Sequence, residues 1–154
     1  MTTEPAATEG RRLSLLVVED EGVLAYLLEG VLGSIGHRIL GPASSAEEAI
    51  RLARQEAPDL ALVDVMLRQG LSGIELAREL KRSGIPVLFL TGHPEKVQDL
   101  AELALGYIAK PYSPTMVGQS VEAVRPVLDG HRPQHLPFGL HLFEGSSEAA
   151  PPTL

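Results

Sequence analysis

The stretch Asp59-Leu60-Ala61-Leu62-Val63-Asp64-Val65-Met66-Leu67 decides the fold. A short apolar run broken by one acid reads as a strand buried on both faces, the pattern of a parallel sheet covered by helices. Asp64 is thereby delivered to the carboxyl end of the strand. Open α/β sheets bind ligands in the crevice just outside those ends. Taken alone, an acid in that place also serves as a cap for a loop or a following helix.

Similar runs flank this strand on both sides. Upstream, Leu13 to Val18 is β-prone and stops at Glu19, Asp20 and Glu21, acids that a strand interior does not tolerate and that therefore mark its exposed end. Leu24, Leu27, Leu28, Val31 and Ile35 then recur at helical spacing and fade into Gly33 and Gly36. His37 to Leu40 forms a brief strand closed by Gly41-Pro42, and Ser45 with Glu48 is a capping-box signature opening a helix that stops before Pro58. Downstream, Ser72 and Glu75 open a third helix to about Arg82, and Val87 to Leu90 is a fourth strand ending in Thr91-Gly92-His93. Pro94 to Ala104 is weakly amphipathic and is predicted as a fourth helix. Gly106 to Ala109 is a fifth strand ending in Lys110-Pro111, and Ser113-Pro114 starts a last helix carrying Val117, Val121, Val124 and Leu128 inward, with Pro126 expected to kink or end it.

Five strands alternating with five helices predict an α/β fold, a five-stranded parallel sheet between helix layers. Right-handed crossovers leave the flavodoxin-like order 2-1-3-4-5 as the natural arrangement. The expected organisation is a disordered arm over residues 1–12, one domain over 13–129, and a Pro/Gly-rich tail over 130–154. The tail carries Leu136, Phe138, Leu140, Leu142 and Phe143, and so many apolar side chains are expected to dock on this domain or, in a homodimer, on a second copy. Scattered His131, His135 and His141 are expected to be solvated.

With 44% hydrophobic and 21% charged residues the composition is that of a globular domain, and the formal charge of −7 argues against a nucleic-acid or anionic-membrane binder. The absence of cysteine excludes thiol and disulfide chemistry. No apolar run approaches the roughly 20 residues that a membrane helix needs, and the first ten residues lack the order of a secretion signal, so a cytoplasmic location is expected.

In the 2-1-3-4-5 order, Glu19, Asp20 and Asp64 meet at one crevice flanked by Thr91 and Lys110. Carboxylates gathered at one edge repel and call for a cation, and oxygen-only ligands suit Mg²⁺. Asp20 and Asp64 are then the expected direct ligands, with Glu19 acting through water and the Met66 backbone carbonyl adding an oxygen. A carboxylate beside Mg²⁺ and a lysine is also equipped to take a phosphoryl group, with Lys110 neutralising and Thr91 donating to its oxygens. Pro111 holds the Lys110 backbone extended and permits a cis peptide.

The segments Val17-Val18-Glu19-Asp20-Glu21, Leu62-Val63-Asp64-Val65-Met66, Leu90-Thr91-Gly92 and Lys110-Pro111-Tyr112 together resemble the receiver domain of two-component response regulators, over roughly Leu13 to Leu128. The resemblance implies a single-domain, chemotaxis-regulator-like phosphorelay protein. In that reading Asp64 is the phospho-acceptor, Glu19 and Asp20 the acidic pair, Thr91 the switch hydroxyl, Lys110 the phosphate-binding lysine and Tyr107 the rotating aromatic switch. Gly92 and His93 border the phosphate pocket. The implied partners are a sensor histidine kinase or phosphotransfer protein and a downstream protein target, and the only enzymatic activity implied is self-phosphorylation and self-dephosphorylation. Arg68 departs from the proline often found four residues after the acceptor. The short signals after Phe89-Leu90-Thr91-Gly92-His93 resemble receivers whose fourth helix is short or mobile. A phosphorylation-independent interaction module with the same fold is the main alternative. A phosphatase of the aspartyl-phosphate type would want a second aspartate where Met66 stands.

Overall fold

The structure, a computed structural model, describes residues 12–144. The expected disordered arm and the end of the tail fall outside these residues, apart from Arg12.

Strands β1 (Ser14–Val18), β2 (Arg38–Ala43), β3 (Leu60–Asp64), β4 (Val87–Thr91) and β5 (Gly106–Ala109) pair in parallel in the order β2-β1-β3-β4-β5. Helices α1 (Gly22–Ser34), α2 (Ala46–Gln55), α3 (Gly73–Arg82) and α4 (Pro114–Leu128) connect or follow them. The two middle strands β3 and β4 are buried at every residue, as continuous apolar runs require. Two apolar layers result. Leu15, Val17, Leu62, Leu88, Leu90 and Ile108 face α1 and α4, while Leu16, Val18, Ala61, Val63 and Phe89 face α2 and α3. Both predicted capping serines do their work: the Ser45 hydroxyl accepts from Glu48 N–H, and Ser72 and Glu75 cap each other reciprocally.

Four departures from the sequence reading have physical causes. Strand β2 runs past Leu40 through a cis Gly41-Pro42 peptide to Ala43, with a register shift against β1 between Leu16 and Val18. An edge strand tolerates proline at such an irregularity because its outer N–H groups have no strand partner to lose. The predicted fourth helix is instead a 3₁₀ turn at Pro94–Lys96 followed by further turns, closed by Leu100 N–H to Val97 O and Leu103 N–H to Leu100 O. Val97, Leu100 and Leu103 recur every third residue, and successive i→i+3 turns place each of them against the core. Helix α4 continues two residues beyond Pro126, whose carbonyl accepts from Asp129 N–H.

The fourth departure is a sixth strand, β6 (Leu140–Leu142), which returns from the tail and pairs antiparallel with β5. Gly106 makes the approach feasible: a Cβ there would lie 2.1 Å from the His141 carbonyl oxygen. Tyr107 stacks on His141 at 4.8 Å between ring centroids and is tilted against Phe143 at 6.0 Å. Leu140 is buried, whereas Leu136 and Phe138 remain exposed, Phe138 at 90%. The described part of the tail thus folds back on its own domain.

At the opposite end of the sheet from the acids, the fully buried His37 ring ties β2 to α4. Its Nδ1 accepts from Leu13 N–H at 3.3 Å, so Nε2 carries the proton and donates to Glu122 at 2.7 Å. Burial works against the Glu122 carboxylate, but hydrogen bonds from Arg125 and His37 hold its pKa below the usual range. A His37→Phe variant leaves the Leu13 amide without its acceptor and should lose about 1–3 kcal/mol of stability, read by urea unfolding.

Candidate functional site

Sheet register assembles the site. Val18 pairs with Val63, so the next residues, Glu19 and Asp64, emerge side by side at the carboxyl rim. Asp64 itself pairs with Leu90, one residue before Thr91, and Thr91 pairs with Ala109, one residue before Lys110. Residues far apart in sequence are therefore brought to one edge by main-chain hydrogen bonding. Helix α3 starts directly against the end of β3: a Cβ on Gly73 would lie 2.1 Å from the Asp64 carbonyl oxygen, so only glycine fits there.

Glu19, Asp20 and Asp64 offer carboxylate oxygens that all lie within 4.8 Å of one another. Glu19 and Asp64 are buried, at 2% and 3% exposure, which makes their charges costly unless they are compensated. Lys110 Nζ stands 3.2 Å from Asp64 Oδ2 and 3.9 Å from Glu19 Oε1. Asp64 Oδ1 accepts from Met66 N–H at 3.0 Å, and Glu19 Oε2 accepts from Glu21 N–H at 3.2 Å. The Lys110–Pro111 peptide is cis, and Lys110 N–H donates to the Thr91 carbonyl at 2.8 Å.

The buried Thr91 hydroxyl oxygen accepts from His93 N–H at 2.8 Å, which leaves its own O–H available to an acceptor in the crevice. Of His93, then, the main chain reaches the site, while its imidazole turns outward to within 3.4 Å of the Glu95 carboxylate. Gly92 is exposed beside Lys110, with room for a Cβ at 3.8 Å from the lysine's own Cβ. Tyr107 lies on β5 between β4 and the His141 and Phe143 rings rather than in contact with the acids.

Two residues outside the expected set reach the cluster. The Tyr112 hydroxyl lies 3.4 Å from Glu19 Oε1 and donates to it; burial and then the Glu19 and Asp64 charges push the Tyr112 pKa upward. Its place in Lys110-Pro111-Tyr112, two residues past the lysine, was the available signal. Arg68 donates its N–H to Asp20 Oδ2 at 2.9 Å, with Nε 3.8 Å from the same oxygen.

Burial, then the neighbouring Asp64 charge and a hydrogen bond to it, push Glu19 from 4.5 up to about 7, against the pull of Lys110 and Glu21 N–H. The folded chain thus holds this proton more tightly than the unfolded chain does. Stability is gained as pH falls from about 7 toward 4.5 and is lost as pH rises back through that window. In EDTA, the melting temperature is expected to rise as pH is lowered from about 8 to about 6, and Glu19→Gln should flatten that profile.

The response regulator receiver domain family matches this chain over residues 15–122. The chain is 38% identical over 115 residues to the alkaline phosphatase synthesis transcriptional regulatory protein PhoP of Bacillus subtilis, covering 71% of this chain and 47% of that protein. It is 36% identical over 107 residues to the phyllosphere-induced regulator PhyR of Methylorubrum extorquens, covering 67% and 40% respectively. The chain thus spans about half, or less, of the length of these relatives. Among solved structures, the signal receiver domain of a modulated diguanylate cyclase from Desulfovibrio desulfuricans G20 matches with a TM-score of 0.65 at 35% identity, over 73% of this chain and 92% of that one. Acids, hydroxyl and lysine at the rim of a 2-1-3-4-5 sheet, and a match over most of the chain, lead to one conclusion: the protein belongs to the receiver domain family of two-component response regulators.

Proposed function

We propose that this receiver accepts a phosphoryl group on Asp64 from a sensor histidine kinase or phosphotransfer protein and signals through contact with a downstream protein. The observation that carries the proposal is the convergence of Glu19, Asp20 and Lys110 on a buried Asp64, with Lys110 Nζ 3.2 Å away. Three carboxylates face Lys110 and the largely exposed Arg68 guanidinium, which leaves an under-compensated cluster of oxygen ligands that fits Mg²⁺. Asp20, Asp64 and the Met66 carbonyl would hold the ion, with Glu19 acting through water. Bound there, Mg²⁺ supplies positive charge against the phosphoryl oxygens.

An Asp64 carboxylate oxygen attacks phosphorus; the new O–P bond forms as the donor's N–P or O–P bond breaks, and the leaving group keeps the electron pair. Lys110 offsets charge on the transferred group, and Thr91 O–H donates to one of its oxygens. The bond formed by Thr91 is new in the phosphorylated state, so it biases a two-state rim, with Tyr107 on the adjoining strand as the relay toward β6. Hydrolysis of the acyl phosphate is the chain's only turnover, and the reaction takes place in the cytoplasm.

Incubation with acetyl phosphate should add one phosphoryl group per chain in Mg²⁺, seen by intact mass, and none in excess EDTA. Equal labelling in both would remove the metal from the proposal.

A further inference from the structure

We infer that Arg68 is a positioning residue that holds Asp20 in competition with the divalent cation and so sets how readily the acidic cluster takes up metal. The inference rests on the proposed Mg²⁺ site and concerns Arg68, which that site does not include. Arg68 makes two approaches to the same atom: its N–H donates to Asp20 Oδ2 at 2.9 Å and its guanidinium Nε lies 3.8 Å from it. That oxygen belongs to a group expected to bind the ion directly, and a ligand atom that already accepts a hydrogen bond and faces a cation must give up some of that interaction to meet a metal.

The surrounding loop shares this logic. Between β3 and α3, three main-chain amides are each received by a carboxylate: Met66 N–H locally by Asp64 Oδ1, two residues before it, at 3.0 Å, Arg68 N–H by Asp20 Oδ2, and Leu71 N–H by Glu47 Oε2 at 3.4 Å. The loop is thus strapped across the cluster at Asp64 and Asp20 and anchored beyond it at Glu47. Two of the three straps end on atoms of the proposed metal site. A cation entering there pulls against the Met66 and Arg68 amides and leaves the Leu71 anchor in place. Because the Arg68 side chain is 72% exposed, its charge is screened, and removing it changes the potential at Asp20 without opening the core.

Mg²⁺ alone is the probe, added to the full chain in EDTA-treated buffer and followed by tyrosine fluorescence and by amide shifts of Met66, Arg68 and Leu71. The chain has three tyrosines and no tryptophan, and the Tyr112 hydroxyl touches Glu19, so the fluorescence reports on the cluster. Arg68→Ala should bind Mg²⁺ about two- to fivefold more tightly at low ionic strength, the range expected of one exposed charge pair. The gain should shrink as salt is raised, and Arg68→Lys should lie close to wild type. In the wild type the Met66 and Arg68 amides should move on titration while Leu71 stays. Equal or weaker Mg²⁺ affinity in a folded Arg68→Ala chain, or a gain insensitive to salt, overturns the role of Arg68 while leaving the metal site intact. Absence of any saturable Mg²⁺ response in the wild type overturns the metal site and this inference together.

Discussion

Asp64→Asn should reduce phosphoryl incorporation from acetyl phosphate or a histidine kinase to background while leaving the fold unchanged. The amide is isosteric with the acid, keeps an oxygen to accept from Met66 N–H and removes the anion that attacks phosphorus. It also removes one of three mutually repelling charges from a rim where Glu19 and Asp64 are buried. The variant is therefore expected to be at least as stable as wild type in EDTA, and less responsive to added Mg²⁺. Loss of labelling accompanied by a gain or no change in melting temperature separates a chemical role for Asp64 from a structural one. A destabilised variant that still takes label would contradict it.

Gly106→Val should detach β6. A Cβ at this position would sit 2.1 Å from the His141 carbonyl oxygen and 2.8 Å from Leu142 Cα, both main-chain atoms that cannot turn aside as a flexible side chain does. Relief requires the pairing of Gly106 with Leu142 to open, and with it the bond from Phe143 N–H to Leu105 O at 2.9 Å. The expected cost is about 1–3 kcal/mol, the range for forced overpacking. By hydrogen exchange, the Phe143 amide should lose its protection while the β4–β5 pairing, on the other side of β5, keeps its own. Freed of β6, the β5 edge presents unpaired main-chain groups, and the variant should self-associate more than wild type in light scattering. Wild-type protection at Phe143 in a folded Gly106→Val chain would mean that β6 is held by something other than this pairing.

The parts of the site that could be read from the sequence share a physical cause. Asp64 and Glu19 stand where apolar runs stop, and a charged residue at the end of a buried strand has few places to go. Once the strand order is fixed, the register itself carries Thr91 and Lys110 to the same rim. The parts that could not be read depend on main-chain groups, which every residue possesses. Nothing in the identity of Arg68 announces that its N–H meets Asp20, 48 positions away. Strand β6 was hidden for a related reason: Leu140-His141-Leu142 is only three residues long, and its strand character comes from the open β5 edge and from the small Gly106 opposite. The residues after Pro94 are ambiguous in sequence because Val97, Leu100 and Leu103 stand three apart, an interval that neighbouring residues on one face of an α-helix share with successive 3₁₀ turns. The apolar tail residues Leu136 and Phe138 remain exposed, so their apolar character is not accounted for by docking on this domain.

The most direct test of the account is to locate the phosphoryl group itself. After brief treatment with acetyl phosphate and Mg²⁺, borohydride reduction converts an aspartyl phosphate to homoserine, and peptide mass spectrometry reads its position. The expected result is homoserine at position 64 in the wild type, and at no position in EDTA or in Asp64→Asn. Homoserine at Asp20 or another acid, or label that resists reduction and lies on a hydroxyl such as Thr91, would contradict the central claim that Asp64 is the acceptor.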